Sequence, residues 1–159
     1  MGNHCIWIFG EANAGKTTTA YNLLQKQLRN YIVIDGDAFR RHKDNRNLTF
    51  RKQDILENNR RTLKMVQNLL DNGWDVIVAM ITPYKDMRKE KKEILSDKVL
   101  RVMLIADEEV RASRINFTKS SIKFEADGEY ELMYNTYEHS PEWIRDDILN
   151  KISKLGWVN

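Results

Sequence analysis

Gly10, Gly15, Lys16 and Thr17 have the residue types and the spacing needed to hold a chain of phosphates: they fit G-x-x-x-x-G-K-[ST]. The glycines let the backbone turn tightly and bring its N–H groups near phosphate oxygens. Lys16 carries a point charge to the outer phosphates, and the Thr17 hydroxyl can enter the shell of a Mg²⁺ ion. Asn13, Ala14 and Thr18 complete the cradle, Asn13 standing where many such loops have another glycine. Asn adopts positive φ more readily than most residues, so the turn is expected to survive. The ligand this implies is a nucleoside triphosphate, ATP, with Mg²⁺ beside it.

A bound triphosphate needs an acceptor. Asp35 and Asp37 are spaced so that both can face the loop. Asp37 is read as the base that takes a proton from an attacking hydroxyl, and Asp35 as the carboxylate on the metal side with Thr17; the plainer reading is an Asp-Gly-Asp turn. Arg40, Arg60 and Arg61 are guanidinium groups able to grip phosphate or sulfate, Asn58 shares their helix, and Phe50 can stack on a base. Each of these also has an ordinary explanation, as a surface arginine or a core phenylalanine. Arg111 and Arg114 are read as lid residues over the triphosphate or, nearly as well, as a solvated helix face.

The elements that must position these groups follow from apolar periodicity. Cys5 to Phe9 is a continuous apolar run, expected of a strand buried on both faces. Helical spacing runs from Lys16 to about residue 29. Tyr31 to Ile34 is a second strand ending at Asp35-Gly36-Asp37, and residues 41–50 read as a loop. A long helix is expected over about 51–70, a third strand over 75–81 broken by Thr82-Pro83, and a charged helix over 85–96 anchored by Met87, Ile94 and Leu95 with a solvated charged face. A fourth strand (99–106), a short helix (108–114), a hairpin around Ala126 to Glu129 and a terminal helix (141–155) with Trp143, Ile148 and Ile152 in the core complete the pattern. Alternating strands and helices predict an α/β fold with a mainly parallel sheet and helices on both faces. Ligands of such sheets bind at the carboxyl ends of the strands, where Gly10 to Thr17, Asp35 to Asp37 and Thr82 to Tyr84 converge.

At 159 residues the length suits one domain spanning 1–159. The composition, 42% apolar and 31% charged, is that of a globular protein, and no apolar run reaches the ~20 residues of a membrane span. No signal-peptide pattern precedes the loop, and the single cysteine, Cys5, reads as a core residue; together they set the expectation of a reducing, cytoplasmic setting. The net charge of +3 suits an anionic substrate without implying nucleic acid.

These residues resemble adenylylsulfate kinase, the phosphate-loop enzyme that phosphorylates the ribose 3′-hydroxyl of adenosine 5′-phosphosulfate. The matching stretches are Ile8 to Thr19, Asp35-Gly-Asp-Ala-Phe-Arg40, Leu48-Thr-Phe50, Asp54-Ile-Leu-Glu-Asn-Asn-Arg-Arg61 and Met80-Ile-Thr-Pro-Tyr84. The resemblance implies a three-layer P-loop kinase sandwich. It makes Asp37 the base and Arg40, Phe50, Asn58, Ile81, Thr82 and Pro83 acceptor contacts, and it suggests a homodimer. The chain departs from the family pattern at Ile55, where an arginine is usual, at Thr49, where glycine is usual, and over Asn116 to Ala126, which lacks the Lys-Gly-Leu-Tyr stretch of the family lid. Two alternatives stay open. One is a bacteriophage-type kinase of hydroxymethylated pyrimidines in DNA, acting in a host cytoplasm, with Arg40 to Lys43 and Lys85 to Lys92 meeting a phosphate backbone. The other is a nucleotide-binding regulatory module without transfer activity.

Overall fold

Strand β1 (Cys5–Phe9) is apolar throughout because helices cover both of its faces. Around it, β2 (Tyr31–Asp35), β3 (Asp75–Ala79), β4 (Val99–Ile105) and β5 (Leu132–Asn135) form one sheet in the order β2-β3-β1-β4-β5. Every pairing is parallel. This is a computed structural model, and it describes residues 2–28, 30–41, 47–114 and 122–158, apart from the side chains at 23, 40 and 41.

The helices are α1 (Thr18–Leu24, then Gln25–Gln27), α2 (Gly36–Arg41), α3 (Lys52–Asp71), α4 (Lys85–Leu95), α5 (Glu108–Ala112) and α6 (Pro141–Lys154). In the first part of α1 the turns are wide, the Gln25 N–H reaching back five residues to the Ala20 carbonyl. Strand alternation sorts the core into two layers. Ile6 and Ile8 face Ala20 and Leu24 of α1 and Ile144, Ile148 and Ile152 of α6. Cys5, Trp7 and Phe9 face Leu63, Val66 and Leu70 of α3 and Leu95 of α4. Among the described residues no helix is long and apolar enough to cross a membrane.

Four expectations are corrected. The sequence around Ala126 to Glu129 forms no hairpin: Asp127 and Gly128 lie in a bend, and β5 pairs parallel with β4. A parallel partner must enter from the same end as β4, so the segment runs back past α4 before β5 begins. It is tied there by Glu125, whose N–H donates to the Pro83 carbonyl (2.8 Å), and by Glu131, whose carboxylate accepts from Arg101. Trp143 is exposed, since the inward stripe of α6 is Ile144, Ile148 and Ile152; its ring stacks on His139 instead, with centroids 3.9 Å apart. Ile94 is exposed for the same reason. Last, the charge on α4 is not all a solvated face. Arg88 and Lys91 share the buried stripe of Met87 and Leu95 and are only 1% and 3% exposed.

Helix α2 was not foreseen. Gly36, its first residue, lies against β3, where a Cβ would come within 2.4 Å of the Met80 Cβ and 3.2 Å of its Cα. Gly36→Ala should therefore destabilise the protein by about 1–3 kcal/mol through overpacking. A urea melt with an unchanged midpoint would refute that packing.

Candidate active site

The chain leaves β1 at Gly10 so close to β4 that a Cβ there would stand 2.4 Å from the Leu104 carbonyl oxygen. Glycine at this point is a steric requirement, and the loop that follows is drawn in tightly. Ala14 is buried and its N–H bonds the Glu11 carbonyl at 3.1 Å. Asn13 takes the left-handed conformation expected of it, with φ 61°. Lys16 crosses the loop and donates to the carbonyls of Gly10 (2.8 Å) and Glu11 (2.7 Å). Burial pushes its pKa down to about 8, against the opposing fields of Asp37 and Asp35. Thr17 and Thr18 are exposed where the loop enters α1.

The two aspartates lie across from the lysine with different environments. One oxygen of Asp35 accepts the Asp37 N–H (2.8 Å) and the Ala38 N–H (3.4 Å), fixing the start of α2. Its other oxygen accepts from the Thr17 hydroxyl at 3.2 Å. Asp37, on the first turn of α2, is exposed toward solvent. Among the described residues no three His, Cys, Asp or Glu side chains form a metal cluster. Thr17 and Asp35 would offer a Mg²⁺ ion two adjacent hard oxygen atoms.

Arg111 and Arg114 face the back of the loop. Arg111 donates to the carbonyls of Ala106 (3.0 Å) and Ala12 (3.4 Å) and pairs with Glu11 at 3.2 Å. Arg114 donates to the Asn13 carbonyl (2.6 Å) and to the Thr136 hydroxyl (3.1 Å). Their described contacts fix the loop from behind, a role neither earlier reading gave them. Thr136, at the end of β5, was missed: its methyl would be 3.6 Å from a Cβ at Gly15, so it limits the loop from a third side.

On the far side, Ile81, Thr82 and Pro83 follow β3. Thr82 is buried, its hydroxyl accepting from the Trp7 indole N–H at 3.1 Å. Asn58 lies on the buried side of α3, and its side-chain oxygen, itself buried, has no hydrogen-bond partner among the described residues. The neighbouring Asn59, not singled out from sequence, donates to the Ile81 carbonyl at 3.4 Å. Arg61 bonds Glu57 along its own helix (3.0 Å), and Arg60, also paired with Glu57, is 73% exposed at its side chain. Phe50 is exposed beside the start of α3, where Asp54 accepts from Thr49. Ile55, standing where the family has arginine, is buried in the core.

The Arg40 side chain and the lid stretch through residue 121 lie outside the described residues, as does most of the basic stretch from Arg40 to Lys43. The second basic stretch is split: Lys89 is exposed and Lys92 half-buried, while other members of it turn inward or pair. Arg88 and Lys91 are buried, and Lys85 pairs with Asp127 at 2.9 Å. The missed residues left one signal in the sequence: Arg88 and Lys91 repeat with Met87 and Leu95 at helical spacing.

Comparison with known proteins agrees with this arrangement. The family model described as adenylylsulphate kinase matches residues 2–117. The adenylyl-sulfate kinase of Staphylococcus carnosus is 32% identical over 163 residues, covering 91% of this chain and 81% of that protein. The bifunctional enzyme NodQ of Rhizobium meliloti is 30% identical over 154 residues, covering 86% of this chain and 24% of that one. Against four curated relatives, this NodQ among them, the chain spans 15% to 56% of the relative's length. The Mycobacterium tuberculosis APS kinase CysC, solved with AMPPNP and APS, superposes with a TM-score of 0.81 at 21% identity, covering 96% of this chain and 98% of that one. With the same sheet, the same loop and a family match across most of its residues, the chain belongs to the adenylylsulphate kinase family.

Proposed function

We propose that residues 1–159 form one kinase unit that transfers the γ-phosphate of ATP to the 3′-hydroxyl of adenosine 5′-phosphosulfate. The observation that carries this reading is the meeting, at one edge of the sheet, of the phosphate loop, the Asp35–Asp37 pair and the Ile81–Pro83 loop in a chain of this family. The triphosphate is held by loop N–H groups and by Lys16, which exchanges its carbonyl partners for phosphate oxygens. Asp37 takes the proton of the acceptor hydroxyl. The freed oxygen bonds to the γ-phosphorus as the bond to the bridging oxygen breaks, and ADP departs. Two observations support this division of roles. Asp35 is tied to Thr17 and to the α2 backbone, whereas Asp37 is exposed in the crevice. Mg²⁺, held on Thr17 and Asp35, supplies charge neutralisation at the outer phosphates when bound. Asn58, Ile81, Pro83, Phe50 and Arg40 belong to the acceptor half of the site by the family pattern. A cytoplasmic setting and a homodimer go with this reading.

Two measurements test it. With ATP and adenosine 5′-phosphosulfate, Asp37→Asn should lose about 10²- to 10⁴-fold in kcat while ATP affinity holds. Retention of most of the activity would remove Asp37 as the base. The second is the pH dependence of ATP affinity. Lys16 binds phosphate as an ammonium, and its pKa of about 8 lies below the ordinary lysine value. Phosphate restores the charged form, so binding takes up a proton once the pH exceeds that value. Affinity measured by calorimetry should be flat below about pH 8 and then fall by up to tenfold per pH unit. An affinity flat through pH 9.5 would contradict the assigned role of Lys16.

A further inference from the structure

Three successive carbonyls of the acceptor loop are each claimed by a different element. Asn59 of α3 donates to Ile81 (3.4 Å), Arg88 of α4 donates to Thr82 (2.9 Å), and the Glu125 backbone N–H donates to Pro83 (2.8 Å). Arg88 is the link between them. Its second guanidinium nitrogen donates to the carbonyls of Glu125 (2.6 Å) and Gly128 (3.1 Å) in the segment that leads to β5. Its guanidinium carbon also lies beside a pair of rings in contact with each other, 4.7 Å from the centroid of Phe9 and 5.5 Å from that of Phe124. Lys85 adds a parallel tie, its N–H bonding the Glu125 carboxylate at 2.9 Å. A cation this deep is costly unless its hydrogen bonds are met, and here both terminal nitrogens are met by backbone carbonyls of a loop and an extended segment, while Nε has no partner among the described residues.

We infer that Arg88 is a positioning residue for the acceptor: by bonding Thr82 on one side and Glu125 and Gly128 on the other, it joins the acceptor loop and the segment Phe124–Gly128 into one body and so sets where the acceptor hydroxyl stands relative to Asp37. The guanidinium is needed because its fork is rigid and planar and because it reaches three carbonyls at once. A lysine has neither property. Arg88 makes no described contact with residues 10–17; its side-chain hydrogen-bond partners all belong to the acceptor side, and Phe9 of β1 is its one ring contact next to the phosphate loop among the described residues. This inference rests on the functional reading above, in which the acceptor lies against Ile81 to Pro83.

The test uses Arg88→Lys, Arg88→Met and Phe124→Leu, the last trimming a ring beside the guanidinium without removing the cation. KM for adenosine 5′-phosphosulfate, KM for ATP, kcat and the ATP-induced shift in melting temperature are measured for each folded variant. The expected result is a rise of about tenfold or more in acceptor KM for Arg88→Lys, larger for Arg88→Met and smaller for Phe124→Leu, with ATP KM and the ATP-induced shift within about twofold of the parent. A purely structural role would lower the active fraction, and so kcat, leaving acceptor KM unchanged. That result, or equal rises in both KM values, overturns the inference. Should Arg88→Met fail to fold, Arg88→Lys and Phe124→Leu decide it. A parent protein inactive on the sulfonucleotide would overturn the functional reading first, and so is distinguishable from a failure of Arg88 alone.

Discussion

The backbone of β1 passes so close to β4 at Gly10 that no side chain fits between them. From that approach follows the shape of the phosphate loop, and from the loop follows the placing of almost everything else at the carboxyl edge of the sheet. The loop turns its N–H groups toward the crevice, so its carbonyls point away and need partners. Arg111, Arg114 and Lys16 provide them. Arg111 and Arg114, on the outside of the loop, serve twice: they satisfy its carbonyls, and they add to the positive potential in which a phosphate chain would sit.

The opposite wall is built by the same device. Arg88 and Lys91 are buried behind residues 81–83, one beside Phe9 and Phe124 and the other over Trp7, with its Nζ 4.7 Å from the ring centroid. Burial lowers the pKa of Lys91 to about 8. Aromatic faces and carbonyl oxygens offset part of the desolvation cost of these charges, and removing either kind of partner would leave a buried cation unpaired. The two halves of the crevice are thus held from behind by buried cations, leaving Asp35, Asp37 and Thr17 free to face inward between them. The N–H groups of Asp37 and Ala38 hold Asp35 in place, so the carboxylate of Asp35 is oriented by the helix that carries Asp37.

Much of this was legible in the sequence, because the signals are local. An apolar run before a glycine-rich loop marks β1, and helical periodicity marks α3 and the buried stripe of α6. The loop, the aspartate pair and the acceptor loop all lie where parallel-sheet logic puts them. What was not legible depended on contacts remote in sequence. Arg88 and Lys91 look like surface residues by type, and only their repeat with Met87 and Leu95 betrays the buried stripe. The four residues of β5 carry little pattern, since Tyr134 alone is fully buried, and their strand identity comes from pairing with β4. Arg111 and Arg114 have the right type for gripping phosphate, yet the loop carbonyls claim them; no spacing rule distinguishes an anion from the outside of its own cradle. Gly36 was in view, but the need for glycine there comes from Met80, forty-four residues away by number.

The account stands or falls on which hydroxyl receives the phosphate. The most direct measurement gives the protein γ-labelled ATP with Mg²⁺ and offers adenosine 5′-phosphosulfate in one reaction and hydroxymethyluracil-containing DNA in another. The account predicts label on the ribose 3′-oxygen of the sulfonucleotide and none on the DNA. Label on the DNA, or on neither acceptor while ATP still binds, would contradict it.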